Sequence, residues 1–278
     1  MSAIPRGKVI PLSVGRRLVV EFLHHAKKVP SLPLSRECRI PDLIDARVQR
    51  SRPFSWLAIF MKAYGLAAQK HPELRRAFLP YPYPRLYEHP HSVASILIER
   101  EWQGEQVVIP AKIRAPETTS LEAIDGHLTN YRNQEVWSVP SFRQILRLGR
   151  MPKLLRRFAF WSSLNFSGGK RAKRMGTFHL SSLGNYGVEQ HHPLTPLTTY
   201  FTFGPIQPDG RVNIKIVYDH RVMDGRCVAR ILVDLEKILN TTVLNELLAA
   251  AKFRDTIAHF KDEWHADSDA TAGQLLAR

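Results

Sequence analysis

Residues 211–239 read RVNIKIVYDHRVMDGRCVARILVDLEKIL, and two periodicities meet inside them. From Arg211 to Tyr218 apolar and polar residues alternate. Val212, Ile214, Ile216 and Tyr218 point one way and Arg211, Asn213 and Lys215 the other, the pattern of a strand. From Val228 to Leu239 the spacing changes: Val228, Ile231, Leu232, Leu235, Ile238 and Leu239 fall on one face of a helix. The corner between them holds Asp219, His220, Asp224 and Gly225. Histidine is the side chain best suited to take a proton near neutral pH. A thiol or hydroxyl nucleophile needs such a base, because its neutral form is weak. A lone histidine at a strand end is more often structural than catalytic, so the residues around it must decide.

Outward from this corner, Pro208-Asp-Gly210 turns the chain out of a strand read over Thr198–Phe203. Residues 54–71 form a largely buried helix stopped by Pro72, and 93–99 pairs with 107–109 around Gly104. Thr119-Ser-Leu-Glu122 has capping-box spacing and starts a helix toward Tyr131. Strands and helices mix without a regular βαβ rhythm. The expectation is an α+β sandwich, a mixed sheet covered by helices.

The chain has 278 residues, 44% of them hydrophobic, enough for one large domain or two small ones. No segment approaches the roughly 18–20 apolar residues of a membrane span. The apolar run from Val9 to Leu23 is broken by Arg16, Arg17 and Glu21 and lacks the continuous core of a secretory signal. Cys38 and Cys227 have no metal or redox spacing. They are expected to be packing residues of a reduced, cytoplasmic protein. Adjacent histidines such as His191-His192 make a poor metal site, and no metal is expected.

Charge is unevenly placed. The formal net charge is +15, and no Asp or Glu occurs between Glu135 and Glu189. That interval contains Arg143, Arg147, Arg150, Lys153, Arg156, Arg157, Lys170, Arg171, Lys173 and Arg174. Such a region attracts cofactor phosphates, an acidic carrier protein or lipid headgroups. Nucleic acid is disfavoured, since no recognition motif accompanies the charge. Phe142, Ile145, Leu146, Leu154, Leu155, Phe158 and Trp161 lie among the cations, with Gly149 and Pro152 dividing the stretch into two short helices. It fits either a helix on an anionic membrane or a cover for the protein's own core.

The pattern His-x-x-x-Asp-Gly between a strand and a helix resembles the active-site signature of CoA-dependent acyltransferases, the superfamily of chloramphenicol acetyltransferase and the peptide-synthetase condensation domains. YDHRVMDG is most similar to the acyltransferase (E2) catalytic domain of 2-oxoacid dehydrogenase complexes. The second histidine usual in the other groups is replaced by Asp219. GTFHLSSLGNYGV (176–188), IPLSVGRRLVVEFL (10–23), KHPELRRAF (70–78) and QVVIPAKI (106–113) resemble further segments of that family in the same order. Arg75 departs from the asparagine usual in the third of these.

The resemblance implies a chloramphenicol-acetyltransferase-like fold and acyl transfer from a CoA or acyl-carrier thioester, without metal. His220 would be the general base, Ser181 the oxyanion donor, with Ser182 the weaker candidate. Asp224 would be the motif aspartate held by an arginine, at the position of Arg16, and Gly225 the turn into the helix. It also implies a homotrimer with the active site between subunits. The match begins by Ile10, so a stand-alone catalytic domain without covalently bound lipoate is expected. It would act on its own acceptor or on a lipoyl group supplied by a separate protein; a scaffold that kept the fold without the reaction is the non-enzymatic alternative. Residues 1–8 are read as an arm, 9–265 as the domain, about 138–174 as an unusual basic insert, and 266–278 as a polar tail. The expected location is the cytoplasm, with peripheral membrane contact through the insert.

Overall fold

A computed structural model describes residues 7–249. The readings of residues 1–6 as part of an arm and of 266–278 as a tail lie outside them, as does the end of the expected domain. In chain order the elements are α1 (Val14–Ala26), β1 (Ser31–Arg39), α2 (Pro41–Val48), α3 (Trp56–Lys70), β2 (Arg76–Leu79), β3 (Arg85–Glu88), β4 (Val93–Trp102) and β5 (Glu105–Arg114). They continue with α4 (Leu121–Asn133), α5 (Pro140–Arg150), α6 (Lys153–Asn165), α7 (Gly168–Met175), β6 (Phe178–Ser181), β7 (Thr199–Phe203), β8 (Arg211–Asp219) and α8 (Gly225–Ile238).

Six strands form one mixed sheet in the order β1-β8-β7-β6-β4-β5. β6 runs parallel to both of its neighbours, and the other pairs are antiparallel. Alternation sends Ile96, Phe178, Phe201 and Ile216 to one face, where the apolar helix α3 covers them. Tyr64 of α3 stacks on Phe178, and Phe60 stacks on Phe203. The Tyr64 hydroxyl hydrogen-bonds Thr199 Oγ1 at 2.5 Å, so this large buried ring leaves no orphaned polar atom. Pro110 lies in β5, where an edge strand tolerates the missing N–H. Gly176 sets up the parallel contact of β6 with β4. Its φ is +93°, and a Cβ would stand 2.9 Å from the Val93 carbonyl oxygen.

The expected α+β arrangement is the one observed, with local differences. The helix after Thr119 is capped by Ser120, whose Oγ accepts from the Ala123 N–H. Thr119 Oγ1 instead turns back to the carbonyls of Arg114 and Ala115. The basic insert breaks after Arg150, as Gly149 and Pro152 suggest, but holds a third helix, α7, capped by Ser167. Its interior faces cover the protein's own core: Phe142, Leu146, Phe160 and Leu164 are buried. Its outer face leaves Leu154 80% and Phe158 63% exposed.

Several of the insert's cations are structural. Glu21 of α1 is fully buried and takes Arg157 Nε at 2.8 Å and Arg156 Nε at 3.6 Å, tying α1 to α6. The buried Arg171 guanidinium donates to the carbonyls of Phe78, Leu164 and Pro196. Burial draws its pKa down to about 10, so it remains charged at neutral pH.

Three buried histidines make the fold acid-sensitive. Burial, and secondarily the nearby Arg171 charge, lowers the pKa of His179 to about 3. Burial likewise holds His25 and His89 at about 4. Each group titrates near 6.5 once unfolded, so between pH 6.5 and about 4 the unfolded chain binds more protons than the folded one. Stability is therefore full above pH 6.5 and falls with pH, by up to about 1.4 kcal/mol per pH unit for each such histidine. Urea unfolding midpoints should fall steeply from pH 7 to pH 5, and His179→Gln should flatten that dependence.

Candidate active site

His220 stands where β8 ends. Its backbone N–H donates to the Pro30 carbonyl at 3.0 Å, fixing the corner against the segment that enters β1. Asp219 beside it is buried and accepts a fork from Arg221: Nε at 2.9 Å, Nη2 at 2.7 Å, and the backbone N–H at 3.0 Å. The Asp219 carbonyl accepts from Val222 and Met223 N–H. Asp219 thus folds the turn that presents the histidine. Arg221 lies over the Phe78 ring, 4.5 Å from its centroid.

The His220 ring is half exposed and meets Tyr218 edge-on. Its Nδ1 lies 3.2 Å from the Met223 carbonyl oxygen. A carbonyl can only accept, so this bond requires the proton on Nδ1. Nε2 then carries a free lone pair, the state a general base needs. Asp224 Oδ1 is 3.5 Å from the same Nδ1. Asp224 stands at the N-terminus of α8 but makes no side-chain cap there. A Cβ at Gly225 would come 3.3 Å from Tyr218 Oη, so the glycine lets the helix start close against β8.

Ser181 is the last residue of β6. The hydroxyl of the buried Tyr200 lies beside Ser181 and Gln190, and burial raises the Tyr200 pKa, keeping the phenol neutral. Ser182 is committed elsewhere: its Oγ donates to the Phe203 carbonyl at 2.8 Å and accepts from Gly184 N–H at 3.1 Å. Of the two serines, Ser181 has the hydroxyl not tied up in backbone bonds. Tyr200 and Gln190 were not singled out from sequence. The Thr/aromatic strand TYFTF signals burial but not which ring meets the serine.

The register separates the two main candidates. Ser181 pairs with Thr202, and Thr202 with Lys215. His220 lies 220 − 215 = 5 residues further along the direction of β8, which runs against β6 and β7. With about 3.3 Å per residue and about 4.8 Å per strand, the two are on the order of 15–20 Å apart, at opposite ends of the sheet. One chain does not bring them together. Nor does it pair Arg16 with Asp224: Arg16 lines a cavity beside α1, and the Asp224 side chain is 85% exposed.

Other residues noted from sequence have structural surroundings. Cys38 is buried and its thiol pushed up to about 12 by burial. Cys227 is half-buried and also raised, chiefly by burial. His192 Nε2 hydrogen-bonds Ser31 Oγ at 3.0 Å. Arg75 donates to the carbonyls of Ala68, His89 and Pro90, a bracing role. Among the described residues no helix is long and apolar enough to cross a membrane.

A scan of protein-family models and a search of curated protein sequences gave no match. Solved structures did. The chain is similar to the dihydrolipoamide acetyltransferase (E2p) of Azotobacter vinelandii, in which a serine, a histidine and an asparagine have been investigated for their role in the catalytic mechanism. The TM-score is 0.63 at 17% identity, covering 88% of this chain and 100% of that one. A probable dihydrolipoamide acetyltransferase from Listeria monocytogenes gives 0.59 at 18% identity, covering 84% and 94%. A truncated catalytic core of the 2-oxoacid dehydrogenase multienzyme complex from Thermoplasma acidophilum gives 0.61 at 14% identity, covering 84% and 99%. At these identities the likeness establishes the fold: the chain has the architecture of the 2-oxoacid dehydrogenase acyltransferase core.

Proposed function

We propose that the protein is an acyltransferase whose site is built by two subunits. It moves an acyl group from a CoA or acyl-carrier thioester to a hydroxyl, amine or thiol acceptor. His220 Nε2 takes the acceptor's proton, and the acceptor attacks the thioester carbonyl. Ser181 Oγ–H donates to the oxyanion that develops. The C–S bond then breaks, and the leaving thiolate receives the proton from His220. The observation that carries this reading is the Nδ1 bond to the Met223 carbonyl, which leaves Nε2 of a half-exposed ring free to take a proton. In the Azotobacter vinelandii enzyme the asparagine stands four positions after the histidine, the place of Asp224 here.

The separation of Ser181 from His220 along the sheet supports an assembly, since the reaction needs both at one carbonyl. A cyclic trimer lets the serine end of each sheet face the histidine end of the next. Arg143, Arg147, Arg150, Lys153, Lys170 and Lys173 remain exposed on the insert and favour a donor that carries phosphates, as CoA or a carrier's phosphopantetheine does. The acceptor can be a free metabolite or a lipoyl group on a separate protein.

Leu154 and Phe158, exposed beside Lys153 and Arg150, favour a second, additional property: contact with an anionic membrane surface. A protein that used the fold only as a membrane-bound scaffold would bind vesicles and release no CoA.

With acyl-CoA donors, release of free CoA should depend on both residues. His220→Ala should lower kcat by about 100- to 10,000-fold, and Ser181→Ala by about 100- to 1,000-fold, with unchanged thermal unfolding. Undiminished transfer by His220→Ala would remove the proposed base. If the site is shared, unfolding and refolding a 1:1 mixture of the two inactive variants should restore activity at about one quarter of the interfaces, those pairing an intact Ser181 with an intact His220. Co-sedimentation with phosphatidylglycerol vesicles, absent with phosphatidylcholine and lost in Leu154→Asp/Phe158→Asp, is the expected result for membrane contact.

A further inference from the structure

On the sheet face opposite α3, a cavity of about 310 Å³ lies between α1, β4, β5 and the insert helices. That volume is at the lower end of small-molecule sites, roughly 300–1,000 Å³. Its walls are nearly all apolar: Leu18 and Phe22 from α1, Leu97 from β4, Pro110 from β5 and Phe160 from α6. Only two wall residues are charged at neutral pH, and both are arginines, Arg16 and Arg174. Arg16 is exposed, and Arg174 Nη1 donates to Ser163 Oγ at 2.8 Å. No carboxylate lines the cavity.

One end of the cavity reaches His179, two residues before Ser181 on β6. His179 is buried on its wall, with Nδ1 2.6 Å from Thr195 Oγ1. His179 and Ser181 are alternate residues of β6, on the same face and about 7 Å apart. A chain lying in the cavity with its reactive end past His179 would place that end at Ser181. Three of the walls, α5, α6 and α7, belong to the basic insert, so the insert both covers the sheet and shapes this space.

We propose that the cavity is a binding site for an unbranched aliphatic chain of medium length, its tail among Leu18, Phe22, Leu97 and Phe160 and its polar, reactive end directed past His179 toward Ser181. This rests on the acyl-transfer reading and narrows it: the chain is that of the acyl donor or of an aliphatic acceptor. On the order of ten groups of about 30 Å³, the share of one water molecule and close to that of a methylene, fill such a volume. Each methylene buried adds about fourfold to affinity. An acetyl group would leave most of the wall without a partner.

The test begins with the chain alone. Decanoate titrated calorimetrically into the wild-type protein should bind at least 100-fold more tightly than butyrate. Leu97→Trp, which fills the cavity from the sheet side, should weaken decanoate at least 10-fold and leave thermal unfolding unchanged. Val19→Trp fills it from α1 and serves if the first variant does not fold. Equal binding of decanoate and butyrate, or wild-type decanoate affinity in either folded variant, would overturn the proposal. Transfer assays separate this from the acyltransferase reading. Transfer from acetyl-CoA without decanoate binding would sink the chain site and keep the reaction. Selective decanoate binding with no transfer from any donor would keep the chain site and sink the reaction. Chain preference with decanoyl-CoA and a short acceptor assigns the cavity to the donor, and preference with acetyl-CoA and decanol assigns it to the acceptor.

Discussion

The pairing of β7 with a parallel β6 on one side and an antiparallel β8 on the other governs this structure. It sends the end of β6 and the end of β8 to opposite ends of the sheet. Ser181 is the last residue of β6, and His220 directly follows the last residue of β8. The hydrogen-bond ladder that makes the sheet stable therefore also keeps the two candidate groups apart. Chemistry that needs both must recruit the missing one from another copy. Oligomerisation is then part of the proposed mechanism rather than an addition to a finished site.

Buried ion pairing explains how a strongly basic segment can sit on an apolar sheet. Taking a guanidinium out of water is costly unless its donors are satisfied. Arg171 meets three carbonyls, and Arg156 and Arg157 converge on Glu21. These contacts pin α6 and α7 over the sheet face and enclose the cavity beside His179. The charge read from sequence as one acid-free patch divides into cations that hold the fold together and cations that face water. Only the second set can serve a partner. Glu21, 115 residues before the start of that interval at Val136, supplies the neutralising charge that local composition hides.

The parts of the fold that were legible in sequence are those where one periodicity runs long enough to dominate. β8 and α8 are read almost to the residue because alternation and helical spacing adjoin at a turn with Asp and Gly. β2 and β3 escape because four-residue strands separated by Pro80, Pro82 and Pro84 carry no period of their own. α7 escapes because Gly168-Gly169 and four cations in eight residues read as a loop, whereas Ser167 capping and the burial of Arg171 stabilise it as a helix. The cap at Ser120 rather than Thr119 reflects competition between two adjacent hydroxyls, decided by which carbonyls lie nearby.

By itself the sequence determined the α+β class and the corner that carries His220, because these depend on periodicity within short segments; Ser181 and Asp224 became candidates through the resemblance of short motifs to the acyltransferase family. It did not determine that Asp219 builds the turn through Arg221, that Met223 sets the histidine's tautomer, or that Tyr200 and Gln190 attend the serine. Those are contacts whose partners are chosen by backbone geometry and strand register. The cavity between α1 and the insert is likewise a product of packing, since its walls come from seven elements spread from Arg16 to His179. Periodicity encodes which side of an element is buried. Which atoms then meet, and what space remains between them, is decided only when the elements pack.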